Sequence, residues 1–152
     1  MLIELHCHTD LHSGCSIIDP ETLVRQAIKQ GLQGVVITEH HYQWNTEDIT
    51  RLRERAEVDN TFLILAGQEV ETDIGHVLVY GADQSISDRI ELNELRQRYP
   101  SAALVWAHPF RYGKNPDGKA LLNPFLDGVE IFSMNHSTKE NCRGLTSWHE
   151  HK

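Results

Sequence analysis

The stretch that decides the fold is Gly34-Val35-Val36-Ile37-Thr38, which is followed at once by Glu39 and His40. A continuous run of β-branched apolar residues is typical of a strand that is buried on both faces. Strand-like runs recur along the chain at residues 2–6, 61–66, 76–80, 102–107 and 128–132. Helices are predicted over residues 20–28, 47–58 and 87–98, with Asp19 and Ser87 as N-caps of the first and third.

The alternation of strands and helices predicts the fold class. Strands that are separated by helices are usually parallel and joined by right-handed crossovers, so the chain is predicted to be an α/β protein. The pattern fits both a (β/α) barrel and an open doubly wound sheet. The 152 residues, 39% hydrophobic and 24% charged, are enough for one domain over residues 1–152 and too few for two.

Two segments lack a clear helical or strand-like pattern. Residues 111–119 are rich in Gly, Pro and Lys and are predicted to form one exposed loop. Residues 133–152 contain no strand-like run and only a weak helical pattern. Their end, from Trp148 to Lys152, is expected to be a frayed tail.

The composition of the chain indicates its cellular compartment and the kinds of partner that it can bind. The sequence has no basic region followed by an apolar run and no stretch of about eighteen apolar residues, so neither a leader nor a membrane segment is predicted. Three cysteines without paired spacing predict a reducing, cytoplasmic setting. The formal net charge of -8 argues against long nucleic acids and favours a phosphorylated small molecule or short nucleotide. Bound divalent cations would still cancel much of that charge at a site.

Histidines and acidic residues accompany the predicted strands. His6 and His8 lie two residues apart at the end of the first strand, so both should point to one side and Cys7 to the other. Four further residues directly follow strand-like runs, namely Glu39, His40, Glu69 and His108. The carboxyl ends of parallel strands meet at one edge of a sheet, where α/β folds place their sites. His76 begins a strand, but a short turn could return it to this edge.

The residue types in this set indicate a transition-metal site. Imidazole and carboxylate ligands together suit zinc, manganese or iron better than calcium. Cys15 lies in the loop that follows the first histidine pair, where it could touch a metal, although a structural thiol is the favoured interpretation.

Several motifs carry a family resemblance when they are taken together. They are Leu2-Ile3-Glu4-Leu5-His6-Cys7-His8-Thr9 with Ser13-Gly14-Cys15-Ser16 and Pro20-Glu21-Thr22-Leu23-Val24, Ile37-Thr38-Glu39-His40, Gly67-Gln68-Glu69-Val70-Glu71-Thr72 with Gly75-His76-Val77-Leu78-Val79-Tyr80-Gly81, Trp106-Ala107-His108-Pro109-Phe110, and Val129-Glu130-Ile131-Phe132. The set resembles the PHP (polymerase and histidinol phosphatase) superfamily of metal-dependent phosphoesterases, over nearly the whole chain.

The resemblance implies a distorted seven-stranded (β/α) barrel with two or three divalent ions, of zinc, manganese or iron. Such a protein hydrolyses phosphomonoesters or phosphodiesters with a metal-activated hydroxide. His6, His8 and Glu69 would hold one metal, and Glu69 would bridge to a second that His108 also holds. His40 would lie at a third metal and His76 would be a further metal or substrate ligand.

Two other site residues follow from the same resemblance. Glu39 stands where the family usually has Asp and is predicted to belong to the metal site. Arg111, two residues after Pro109, is the nearest basic residue that could stabilise charge on the phosphate. The predicted catalytic residues are therefore Glu69, His108 and Arg111.

The sequence departs from the family at its C-terminal end. The closing Asp-x-His motif, which follows the seventh strand, has no counterpart after Asp127. We expect that the chain is C-terminally incomplete and not fully active; a reduced form, or replacement of the motif by His149 and His151, are the alternatives. Two other functions remain open, a non-catalytic metal-binding module derived from a PHP enzyme and a metal-dependent amidohydrolase. The second normally has a Lys after a late strand, and no such Lys is found.

Overall fold

A computed structural model describes residues 1–86 and 89–151 of the chain. The strands in these residues are β1 Ile3–Cys7, β2 Gly34–His40, β3 Leu63–Thr72, β4 Gly75–Tyr80, β5 Ala103–Trp106 and β6 Gly128–Val129. The α-helices are α1 Pro20–Lys29, α2 Thr46–Ala56, α3 Leu92–Arg98, α4 Gly118–Leu121 and α5 Thr138–His151. The predicted α/β class is confirmed. The described residues contain six strands, where the full barrel implied by the resemblance has seven.

The chain divides into two compact units, which are described separately. Unit 1 comprises residues 1–70 and the segment that starts at Val79, and unit 2 comprises residues 71–78 and the chain from Arg89 onward.

In unit 1, β2 pairs in parallel with β1 on one side and with β3 on the other. Six of its seven residues are buried, as the apolar run predicts. The buried core of this unit consists of Val24, Ala27, Val35, Ile37, Trp44, Leu52, Ala56, Phe62 and Ile64. The helices that supply part of this core begin at capped positions: Asp19 caps α1, with Pro20 in its first turn, and Asn45 forms a capping box with Asp48 in α2.

Gly67 in β3 allows a close approach within unit 1. A Cβ atom at this position would lie 2.9 Å from the Tyr80 ring and 3.1 Å from the carbonyl oxygen of Val79. Backbone cannot move aside as a flexible side chain can, so any larger residue would push β3 away from the end of β4.

In unit 2, β4 begins after only two residues, Asp73 and Ile74, beyond the end of β3. This part of the chain therefore contains no crossover helix, unlike the alternation that the sequence predicts. β5 and β6 pair in parallel, and the Ala107 N–H donates to the His76 carbonyl oxygen at 2.9 Å. A small core of Trp106, Phe110 and Leu121 lies beside them.

The patternless segments have more structure than the sequence predicts. The supposed loop 111–119 contains a 3-10 turn, Arg111–Gly113, and the start of α4. The supposed frayed tail is helical as far as His151, so that expectation was wrong. The third predicted helix starts later, at Leu92, and its predicted cap Ser87 lies outside the described residues.

Asp127 joins two elements of unit 2. Its carboxylate accepts a hydrogen bond from the Leu104 N–H at 2.8 Å and forms an ion pair with Arg96. These two donors hold the pKa of Asp127 below its ordinary value. The folded protein therefore binds this proton less tightly than the unfolded chain, and the stabilisation is present above the ordinary carboxyl pKa and is lost as pH falls below it.

Replacement of Asp127 by Asn is expected to lower the free energy of unfolding near neutral pH by up to about 1 kcal/mol, because the pair is partly exposed. The difference from wild type should shrink as pH falls toward 3, about where carboxylates become protonated. Urea denaturation at several pH values measures it, with Asp83→Asn at an exposed position as the control. A deficit that stays constant with pH would show that the carboxylate charge is not responsible.

Within the described residues, no helix combines the length and the apolar character that crossing a bilayer requires.

Candidate metal centre

The register of β2 and β3 places His40 directly opposite Glu69. Paired residues on neighbouring strands point to the same face of a sheet, and the His40 Nε2 atom indeed lies 3.4 Å from Glu69 Oε2. His6 in β1 and His8 directly after its end supply the other imidazoles, since His6 Nε2 and His8 Nε2 lie 3.2 Å and 2.9 Å from the same oxygen. Three imidazole nitrogens therefore surround one buried carboxylate oxygen in unit 1.

The spacing of these atoms matches the ligand shell of a metal ion. Zinc–nitrogen and zinc–oxygen bonds of about 2.0–2.1 Å in a tetrahedron separate neighbouring ligand atoms by roughly 3.3 Å. The nitrogens of His6 and His8 are 3.2 Å apart, and each lies at a similar distance from Glu69 Oε2. The donor set thus fits a transition metal in both chemistry and spacing.

A second group of possible ligands involves Cys15. Its sulfur and one ring nitrogen each from His8 and His40 all lie within 4.8 Å of one another. The His8 and His40 rings are stacked, with centroids 4.7 Å apart. His8 and His40 also contact Glu69, so two neighbouring ions could be accommodated on one set of side chains. This grouping favours the alternative in which Cys15 touches a metal, and the choice between that and a structural thiol stays a prediction.

Glu39 contacts the loop that follows β1. It is fully buried, and its oxygens accept hydrogen bonds from the N–H and hydroxyl of Thr9 and from the hydroxyl of Ser13. The Ser13 hydroxyl also accepts from the His40 N–H at 3.0 Å. In the structure Glu39 therefore anchors the loop after β1, and its place in the metal site stays a prediction.

Ser13→Ala is expected to destabilise the metal-free protein by about 1–3 kcal/mol, because it removes a hydrogen bond from the buried Glu39 carboxylate and another from the His40 N–H. Urea denaturation measures this change. The matched control is Ser101→Ala at an exposed position, which should alter stability by less than about 0.5 kcal/mol. Equal stability of the two variants would contradict the anchoring role.

Cys7 points away from the histidines, as the alternation along a strand predicts. Its thiol donates to the Val36 carbonyl oxygen at 3.2 Å and packs against the core of unit 1. Burial, together with the nearby Glu4 and Glu39 carboxylates, raises the pKa of the Cys7 thiol far above its ordinary value. Cys7 is therefore an unreactive core residue.

Unit 2 brings His76 and His108 together. Their rings meet edge to face with centroids 5.3 Å apart, so the short connection before β4 does return His76 to the end of β5. His108 has a φ of 31°, which is unusual for a residue other than glycine. Its backbone N–H donates to Glu130 Oε2 at 2.7 Å, and this bond helps to hold the unusual conformation.

His136 was not predicted from the sequence. It is buried, its Nε2 atom lies 3.2 Å from the Phe110 N–H, and its Nδ1 atom lies 3.1 Å from Asn141 Oδ1. An Nε2 that accepts a hydrogen bond requires the proton on Nδ1, so the ring is neutral in this arrangement. These two hydrogen bonds let His136 fix the segment after His108, and they occupy both of its ring nitrogens. An isolated histidine beyond the last strand-like run gives no signal in the sequence for such a structural role.

Arg111 lies in a cleft of unit 2 that also contains His76 and His108. The cleft has a volume of about 140 Å³, and Lys114 supplies a second cation to its lining. The 3-10 turn that carries Arg111 is attached to α5, since the Gly113 N–H donates to Glu140 at 2.6 Å. Backbone hydrogen bonds from Ser137 and Gly113 lower the pKa of Glu140 to about 2, so this attachment persists through the ordinary pH range.

Comparisons with known proteins identify the family and the fold of this chain. The sequence matches the PHP domain family over residues 4–123, which is most of the chain. This chain therefore belongs to the PHP domain family, as the motifs predict. No functionally curated protein matches it.

A solved structure from Bifidobacterium adolescentis, provisionally named a metal-dependent phosphoesterase, has a similar fold. The TM-score is 0.69 and the sequence identity 17%, over 98% of this chain and 83% of that chain. At this level of identity the similarity concerns the fold alone.

Proposed function

We propose that this protein is a metal-dependent phosphoesterase that hydrolyses a phosphomonoester or a phosphodiester. The observation that carries the proposal is the contact of one buried Glu69 oxygen with three imidazole nitrogens at 2.9–3.4 Å. A carboxylate placed in this way is suited to bind one divalent ion and to bridge to a second. Membership of the PHP family and the similar fold of the B. adolescentis protein support the same function.

The ligands divide into groups of different character. His6, His8 and Glu69 would hold one ion, and His40 with Cys15 would hold another. At the second site the Cys15 thiolate would favour zinc or iron over manganese. Cys15 is exposed, so its side chain can rotate toward an ion at His40. Bound divalent ions supply Lewis acidity and lower the pKa of water toward neutrality.

The residues of unit 2 complete the proposed assignment. His108 is proposed as a metal ligand, and His76 as a ligand of metal or substrate. Arg111 and Lys114 carry the positive charge in their cleft, and a guanidinium can take two phosphate oxygens at once. Arg111 thus binds the phosphoryl group and stabilises the charge that develops on it.

The test combines elemental analysis with hydrolysis assays. We expect more than one equivalent of zinc, manganese or iron per chain, together with hydrolysis of generic phosphomonoesters or phosphodiesters and no hydrolysis of amides. Metal without hydrolysis of any ester would indicate a non-catalytic metal-binding module, and cleavage of cyclic amides would indicate an amidohydrolase. A protein that purifies without metal and takes up neither zinc nor manganese would refute the proposal.

A further inference from the structure

The cleft of unit 2 contains aromatic as well as cationic side chains. Trp106 and Tyr112 line it beside His76, His108, Arg111 and Lys114. Trp106 is buried and belongs to the core of this unit, whereas Tyr112 is 80% exposed. A large exposed aromatic side chain next to the cations of a cleft is a feature that metal binding and phosphate binding do not require.

The backbone at Tyr112 is strained. Its φ of 60° and ψ of 31° lie in the left-handed region, which a side chain with a Cβ atom rarely adopts. The next residue, Gly113, also has a positive φ. A glycine at position 112 would adopt the same backbone conformation without strain, but the chain has a tyrosine there. Strained conformations of this kind concentrate at functional sites, because the surrounding structure must maintain them.

The surroundings of Tyr112 hold the turn in place. The Arg143 guanidinium donates to the carbonyl oxygens of Gly113 and Lys114, at 3.3 Å and 3.4 Å, and Glu140 accepts from the Gly113 N–H. The Arg111 guanidinium lies 4.7 Å from the centre of the Tyr112 ring, within the range of a cation–π interaction. One face of the ring is thereby fixed against the phosphate-binding cation, and most of the ring surface stays accessible.

We propose that Tyr112 determines substrate specificity by stacking on a planar ring in the alcohol part of the phosphate ester, while Arg111 and Lys114 bind the phosphate. The substrate class is therefore a phosphate ester with a flat aromatic or heteroaromatic group. This inference rests on the proposed phosphoesterase function. Stacking suits such a group because a rigid ring that is already oriented loses little freedom on binding.

The experiment compares adenosine 5′-monophosphate with ribose 5-phosphate, which share the phosphate and the sugar and differ in the base. We expect the metal-loaded protein to have a higher kcat/KM for the nucleotide. Tyr112→Ala and Tyr112→Gly should lower the nucleotide to ribose phosphate ratio by about 5- to 100-fold, the range of base–aromatic stacking. Tyr112→Phe should preserve the ratio. The glycine variant removes the ring without leaving a strained Cβ atom.

Phe132 provides the matched control, since it is an exposed aromatic residue of unit 2 outside the cleft. Phe132→Ala should not change the ratio. Binding of the nucleotide to the metal-free protein, followed by NMR, gives a readout that does not depend on turnover. It should weaken in Tyr112→Gly and not in Phe132→Ala.

The two proposals fail in different ways. Absence of hydrolysis of every ester, with nucleotide binding that depends on Tyr112, would refute the phosphoesterase and leave the stacking site standing. Hydrolysis of both esters with a ratio that is unchanged in Tyr112→Gly would refute the role of Tyr112. A wild-type protein that does not distinguish the two esters, or does not bind the nucleotide, would refute it as well.

Discussion

Glu69→Gln is expected to lower metal affinity by at least 10- to 100-fold and turnover by at least two orders of magnitude. The change keeps the shape of the side chain but replaces a charged oxygen beside three imidazole nitrogens with a neutral amide. Loss of the imidazole ring in His76→Ala should have a smaller effect, because it removes no charge shared by two ions. Metal content of the purified variants and kcat on a generic phosphoester measure both.

Glu71→Gln is the matched control for this substitution. Glu71 lies two residues further along β3, and its exposed carboxylate lies 3.9 Å from the Arg89 guanidinium. The control should keep wild-type metal content and rate. Similar losses in Glu69→Gln and His76→Ala would contradict the proposal that the Glu69 charge is shared between ions.

Cys15→Ser is expected to remove the thiolate ligand of the ion at His40 and to weaken that site by about tenfold or more. In the cobalt-loaded protein, the near-ultraviolet absorption of a cobalt thiolate should be present in wild type and absent in the variant. Zinc should also slow the reaction of Cys15 with a thiol reagent, because a coordinated sulfur is a poorer nucleophile.

Cys142→Ser is the control, since Cys142 and Cys15 are both exposed. Cys7 is half-buried with a raised pKa, so its reaction with the reagent should be slow and should not complicate the measurement. An unchanged cobalt spectrum in Cys15→Ser, or zinc protection of Cys142 and Cys15 alike, would show that Cys15 is not a ligand.

The strands of unit 1 were predictable because their apolar runs are continuous, but their ends were not. The sequence suggests that β2 ends before Glu39 and that β3 ends before Gly67, yet both strands continue through the polar residues. Side chains such as His40 and Glu69 interrupt the apolar pattern without interrupting the backbone ladder. The predicted proximity of His40 and Glu69 is still correct, because register depends on pairing rather than on where a strand ends.

The contacts of Glu39 depend on tertiary structure. Its place in the metal site, which the family resemblance implies, stays a prediction, and the structure shows that its oxygens accept hydrogen bonds from Thr9 and Ser13. No local pattern distinguishes a carboxylate that anchors a loop from one that faces an ion.

The sequence gives only a weak signal for helix α5, because this helix also depends on tertiary contacts. It contains Gly144 near its middle, a residue that weakens a helix in isolation. In the structure this glycine lets the helix approach Phe110, whose ring atoms would lie 3.2 Å from an added Cβ. Packing on unit 2 therefore stabilises a segment that has little intrinsic tendency to be helical.

The family match ends at residue 123, whereas α5 begins at Thr138. Glu140 and Arg143 of this helix hold the turn of Arg111 and Tyr112, so the support for the cleft lies outside the family segment. Relatives could thus diverge in what their clefts accept through changes in this helix, while the proposed metal ligands of unit 1 stayed the same. Trimming this chain at residue 123 would remove β6 and Glu130 together with the helix, so the support for the cleft and the hydrogen bond that holds the His108 backbone would be lost at once.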